Sequence, residues 1–174
     1  MPSITSVGSS FSSSNANGGI ISWWNPGNAG NSDNAWAVAG SSTAKALTEL
    51  LCVGGFDFSA IPDTATIQGI ELSIERHKSS NQMGKDVSLR LTKNGVAVGE
   101  DKASPDQWPY AVPNEAVKVY GGSSDLWGES WTPAEVKSQL GVAFSGLVAS
   151  GSELWVPSCS LLIDSIAVTV HYTE

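Results

Sequence analysis

GFDFSAIPDTATIQGIELSIERHKSSNQMGKDVSLRLTKNGVAVG, residues 55–99, decides the fold. Ile70, Leu72 and Ile74 alternate with Glu71, Ser73 and Glu75. After a polar loop, Val87, Leu89 and Leu91 repeat the alternation. A period of two marks a strand with one face buried and the other in water. Asn94-Gly95 supplies the two residues that tolerate positive φ in a type I′ turn, and so closes a hairpin onto Val96 and Val98. Upstream, Phe56 and Phe58 alternate with Asp57 and Ser59 before Ile61-Pro62-Asp63 breaks the run. The stretch predicts antiparallel strands in an all-β fold, with Ile70, Leu72, Ile74, Val87, Leu89 and Leu91 facing the core.

The same grammar extends in both directions. Ile166, Val168, Val170 and Tyr172 alternate with Ser165, Ala167, Thr169 and His171, a long final strand. Further strand regions read at 35–39, 47–58, 142–148 and 154–156, with a turn at Ser150-Gly151-Ser152. Residues 104–122, with three prolines and Gly121-Gly122, read as a meandering connection. The helix signal is confined to 132–140: Thr132 as N-cap, Pro133 at the first helical position, Glu135 completing a capping box, and Gly141 as the stop. Trp127 and Trp131 bracket its start as a hydrophobic staple. Strands without a repeated unit predict a two-sheet antiparallel β-sandwich, a jelly roll, as one domain over residues 20–174. Residues 1–19 are dominated by Ser, Gly and Asn. They predict a flexible N-terminal arm with Ile4, Val7 and Phe11 as docking anchors.

Composition narrows the function. The chain has 174 residues, with 9 basic against 17 acidic, for a net charge of −8. Phosphate binding needs a cationic face, so nucleic acid is not an expected partner. The sequence contains no apolar run of membrane length, and residues 1–19 have neither the basic nor the apolar part of a signal peptide. The expectation is a protein assembled in the cytoplasm with no membrane partner. Cys52 and Cys159 sit in apolar neighbourhoods, as buried thiols or as a disulfide joining an early strand to a late one. No spacing of ligands suggests a metal, no cofactor motif is present, and the two histidines, His77 and His171, have no partner nearby in sequence. Glu71 and Glu75 share a strand face, but that face reads as solvated. The expectation is a non-enzyme without cofactors.

The seven tryptophans matter through their positions. Trp23 and Trp24 are adjacent, so on a strand they point to opposite faces. Trp108-Pro109-Tyr110 falls in the most loop-like stretch. Trp23, Trp24, Trp108 and Tyr110 are therefore the candidate contacts for a partner protein or a glycan.

Taken as a set, several elements resemble a family of tailed-phage virion proteins. They are Gly55-Phe56-Asp57-Phe58, Ile61-Pro62, Ala65-Thr66-Ile67-Gln68-Gly69-Ile70-Glu71, the hairpin at 87–99, Trp108-Pro109, Tyr120-Gly121-Gly122, residues 125–128 with Trp131-Thr132, and 164–172. The likeness covers roughly residues 20–174. It implies a jelly-roll module on the outside of a virion, either a capsid decoration (cement) protein or a tail appendage. The partner it implies is the major capsid protein, with a homotrimer as the expected oligomer. The chain is also similar to the jelly rolls of carbohydrate-binding modules, which leaves a glycan-binding appendage as the alternative.

Overall fold

Two antiparallel sheets face each other in the computed structural model, which describes residues 1–41, 45–110, 116–149 and 159–174. One sheet holds β1 (Ser3–Val7), β3 (Ala37–Ser41), β6 (Thr66–Lys78), β9 (Ala116–Gly121) and β11 (Cys159–Thr173). Its order is β1-β11-β6-β9, with β3 also paired to β11. The other holds β2 (Ser10–Ser14), β4 (Ala46–Leu47), β5 (Leu50–Gly54), β7 (Met83–Lys93), β8 (Val96–Val98) and β10 (Leu140–Ala149). Its order is β2-β5-β10-β7-β8, with β4 on β10. This is the two-sheet antiparallel β-sandwich, of jelly-roll type, that the alternation predicts. The turn expected at 150–152 and the strand at 154–156 lie outside the described residues.

The core lies between the sheets. Ile70, Leu72 and Ile74 of β6, with Ile166, Val168 and Val170 of β11, meet Leu89 and Leu91 of β7 and Phe144 of β10, all fully buried. Asn94 and Gly95 both take positive φ, 52° and 79°, as the type I′ turn between β7 and β8 requires.

One expected core residue does not belong there. Val87 is exposed, because β7 carries a bulge at that point: Ser88 pairs with Ser145, and Asp86 pairs with Gly146. The extra residue reverses the inward face, so Gly84 and Asp86 point in before the bulge and Leu89 and Leu91 point in after it. The alternation in sequence cannot show this, because Val87 continues the apolar rhythm of Leu89 and Leu91.

The N-terminal residues also depart from expectation. Residues 3–7 are β1, paired with β11 from Ser3↔His171 to Val7↔Ala167. Residues 10–14 are β2, paired with β5 from Ser10↔Gly54 to Ser14↔Leu50. Between them Gly8 crosses from one sheet to the other, where a Cβ would stand 2.3 Å from Val53 Cγ1. The expected arm is thus an edge strand of each sheet. Its polar composition misleads because an edge strand with one wet face needs only an occasional apolar residue, here Ile4 and Phe11 packed on the core. The meander expected at 104–122 is likewise part strand, since β9 pairs with β6 from Arg76↔Ala116 to Glu71↔Gly121.

The helix α1 (Pro133–Ser138) forms where expected, although it is shorter. Thr132 Oγ1 accepts from the Glu135 N–H, and the Glu135 carboxylate accepts from the Thr132 N–H at 2.8 Å. Trp131 and Val136, on either side of the cap, are both buried in the core cluster. Thr132→Ala is expected to lower stability by about 1 kcal/mol. That would read as a fall of roughly 2–4 °C in melting temperature.

Cys52 and Cys159 are free thiols in different sheets, and Cys159 is buried in the core. Burial pushes the Cys52 thiol up from its ordinary pKa, partly offset by a hydrogen bond with Ser12. Of the two readings open in sequence, the thiols stand.

Candidate functional site

The polar chemistry of the interior gathers on Asp86. The bulge turns its carboxylate inward from one sheet, and Arg76 reaches it from the other as a buried ion pair. The Trp108 indole N–H donates to Asp86 Oδ1 at 2.6 Å. The Tyr120 hydroxyl and the Ser104 N–H donate to Oδ2 at 2.6 and 2.9 Å. The Arg76 guanidinium lies over the rings of Trp108 and Tyr120, with 4.7 and 5.6 Å to the centroids. Burial, followed by the neighbouring Asp86 charge, pushes the Tyr120 phenol far above its ordinary range, so it stays a donor. This is a clasp between sheets. Four donors converge on its one carboxylate, while Arg76 Nε is buried without a partner among the described residues.

The clasp settles Trp108, which is core rather than contact surface and also packs against Phe144 with centroids 5.7 Å apart. Trp23 is buried too. Its indole N–H donates to the Glu49 carbonyl at 2.9 Å, and its ring meets Phe144 edge-on at 5.9 Å. Trp23 is withdrawn from the surface, and Trp108 reaches it only as part of the wall of a pocket that Lys78 and Gln107 also line. A buried indole N–H or phenol O–H requires an acceptor. In the sequence, that requirement was the one signal pointing to an inward Asp86.

Trp24 and Tyr110 are the two expected contacts that do reach solvent. Trp24 exchanges both backbone hydrogen bonds with Val38, at 2.8 and 3.0 Å. Val38 pairs with Leu162, and Leu162 with His77. Cross-strand pairs share a face, so these four side chains form a row on the outer face of the five-stranded sheet. Trp36 stands edge-on to His77 at 5.4 Å between ring centroids. Trp24 is 70% exposed at the open end of the row. Tyr110 bridges to Lys78 at the end of β6, on the side that β9 occupies further along.

The same outer face continues along the sheet. Val119 pairs with Ser73, Ser73 with Ala167, and Ala167 with Val7, a row across all four strands of the sheet's main path. Val117 lies in the next row beside Glu75 and Ser165. Val117, Val119 and Val7 are 59%, 49% and 46% exposed. Thr5 and Thr169 are hydrogen-bonded side chain to side chain at 2.7 Å. Neither Glu71 nor Glu75 pairs with a cation among the described residues. Of the three expected anchors, only Val7 is presented outward, while Ile4 and Phe11 pack inward. Val117 and Val119 were missed in the sequence because the prolines around them obscure a strand of alternating valines.

Among the described residues, no group of three or more His, Cys, Asp or Glu is placed to hold a metal ion. No helix among them is long and apolar enough to cross a membrane.

No family model matches the chain, and no curated protein matches it in sequence. Solved structures do resemble it in three dimensions. A CBM4 carbohydrate-binding module is 11% identical, with 91% of this chain and 92% of that one covered and a TM-score of 0.41. A CBM35 module from Paenibacillus barcinonensis is 10% identical, with 100% and 99% covered and a TM-score of 0.38. A chain of the cyanophage Pam1 capsid asymmetric unit is 14% identical, with 99% and 86% covered and a TM-score of 0.31. These are likenesses of a β-sandwich fold, which carbohydrate-binding modules and a phage capsid component share.

Proposed function

We propose that this chain is a non-enzymatic structural protein of a phage virion, a decoration protein that docks on the major capsid protein at the shell exterior. The observation that carries the reading is the outer face of the five-stranded sheet. Exposed valines from both edge strands, with the small residues Ser73 and Ala167 between them, place apolar side chains in water on that face. Glu71 and Glu75 on that face pair with no cation among the described residues, which suits a capsid surface that supplies Lys or Arg among apolar residues. The sequence resemblance to tailed-phage virion proteins supports the same reading, as does the internal use of the chain's most elaborate polar cluster. Three copies around a local three-fold position, bridging neighbouring shell subunits, would strengthen the shell by added burial.

The test is re-decoration of stripped particles with Val117→Asp/Val119→Asp protein. Because both positions are exposed, the melting temperature should stay within about 2 °C of wild type. Particle occupancy should fall by roughly tenfold or more, the equivalent of about 1.4 kcal/mol, and with it the heat resistance of the particles. Full occupancy by the variant would remove this face from the docking surface and the reading with it.

A glycan-binding appendage remains the second reading, and one observation favours it: Trp24 is a solvent-facing aromatic plate next to a loop rich in Asn and Asp. Saturable quenching of tryptophan fluorescence by one glycan, lost in Trp24→Ala and without effect on particle heat resistance, would select that reading instead.

A further inference from the structure

Lys78, the last residue of β6, is only 5% exposed. Its ammonium donates to the Gln82 carbonyl at 2.8 Å and to Gln107 Oε1 at 3.0 Å. Both acceptors are neutral. Among the described residues no carboxylate pairs with Lys78, and none of them supplies an acceptor for its third N–H. An ammonium withdrawn from water without an opposite charge is an unfavourable arrangement that a bound anion would relieve.

Gln107 sharpens the point. Its Oε1 also accepts from the Gly84 N–H at 3.0 Å. Two donors on one oxygen fix the orientation of the amide, so its NH2 is the end left for other partners. Gln107 as a whole is exposed. The unsatisfied polar groups of Lys78 and Gln107 are therefore all donors.

Both residues line a pocket of about 410 Å³, with Asn81, Gln82, Met83 and Tyr110 among the other described lining residues. That volume falls within the range of small-molecule sites. No acidic residue lines it among the described residues, in a chain that has 17 of them. Met83 and Tyr110 add apolar surface beside the donors.

We propose that this pocket binds a carboxylate group on a compact body, with Lys78 as the charge that holds it and the Gln107 amide as a second donor. The inference is independent of the docking face. An acidic side chain of a protein and a sugar acid share this chemistry, and the test separates them.

Thermal melts of the full chain, at constant ionic strength, would use N-acetylglutamate and galacturonate as probes, with N-acetylglutamine and galactose as neutral controls. One carboxylate should raise the melting temperature saturably, by about 3–6 °C near tenfold excess over Kd. Its neutral counterpart should not. The carboxylate that acts identifies the source, side chain or sugar acid. Gln107→Glu places a carboxylate beside Lys78 and keeps the acceptor for Gly84. It should raise the ligand-free melting temperature by about 2–4 °C and abolish the response. Lys78→Gln should abolish the response by removing the charge. If Lys78→Gln fails to fold, Gln107→Glu carries the test alone. No response of the wild type to either carboxylate, or a response that persists undiminished in Gln107→Glu, would overturn the assignment.

Discussion

Asp86→Ala should destabilise the protein by about 3–5 kcal/mol, the loss expected when one member of a buried ion pair is removed. The reason is what the substitution leaves behind: the buried guanidinium of Arg76, the Trp108 indole N–H, the Tyr120 hydroxyl and the Ser104 N–H all lose the same acceptor. Urea unfolding at neutral pH would measure it. Asp86→Asn should fall between, because an amide oxygen can serve some of the donors but cannot neutralise Arg76. The double variant Arg76→Met/Asp86→Leu should recover much of the loss, since replacing both charges by apolar groups leaves no stranded charge. A loss below about 1 kcal/mol for Asp86→Ala would mean that the two sheets do not depend on this clasp.

Deleting residues 1–14 should be more damaging still. The deletion removes β1 from β11 and β2 from β5, and with them the inward-packed Ile4 and Phe11. It also removes Ser13, whose hydroxyl accepts from the Trp23 N–H at 2.9 Å and donates to the Glu49 carboxylate at 2.6 Å. Two sheet edges would then be open at once, in a protein whose stability is expected to be on the order of 5–15 kcal/mol in total. The expected result is insoluble or largely unfolded protein, read by circular dichroism and by the soluble fraction. A truncated protein that melts within about 2 °C of the full chain would show instead that these strands are dispensable.

Legibility in the sequence followed the pattern of one-sided burial. β6, β11, β7 beyond its bulge, the Asn94-Gly95 hairpin and the Thr132 cap were readable because each combines a simple period or a local motif with a burial that agrees with it. β1, β2 and β9 were not. The first two are edge strands of serine and threonine whose pairing partners are distant in the chain, and the third sits among prolines. The candidate site was less legible than the fold. Trp23 and Trp108 looked alike to Trp24 and Tyr110 in sequence, and what separates them is burial, which depends on segments distant in the chain. Asp86 became an inward residue through a single inserted position opposite Gly146. Bulges leave no mark on composition, and a one-residue slip exchanges every side chain between the two faces.

The pairing of β1 with β11 has a consequence for how the chain reaches this state. Thr5 and Thr169, whose hydroxyls meet, are 164 positions apart. β6 likewise waits for β11, since its long pairing runs from Leu161↔Lys78 to Thr173↔Thr66. During synthesis these strands leave the ribosome long before the strand that completes their sheet. Folding dominated by such distant pairings is slow, and unpaired apolar strands invite association between chains in the interval. A polar, serine-rich β1 can wait in water without harm, which an apolar strand at the same position could not. The plain composition at the start of the chain is then a property of the nascent polypeptide as much as of the finished sandwich.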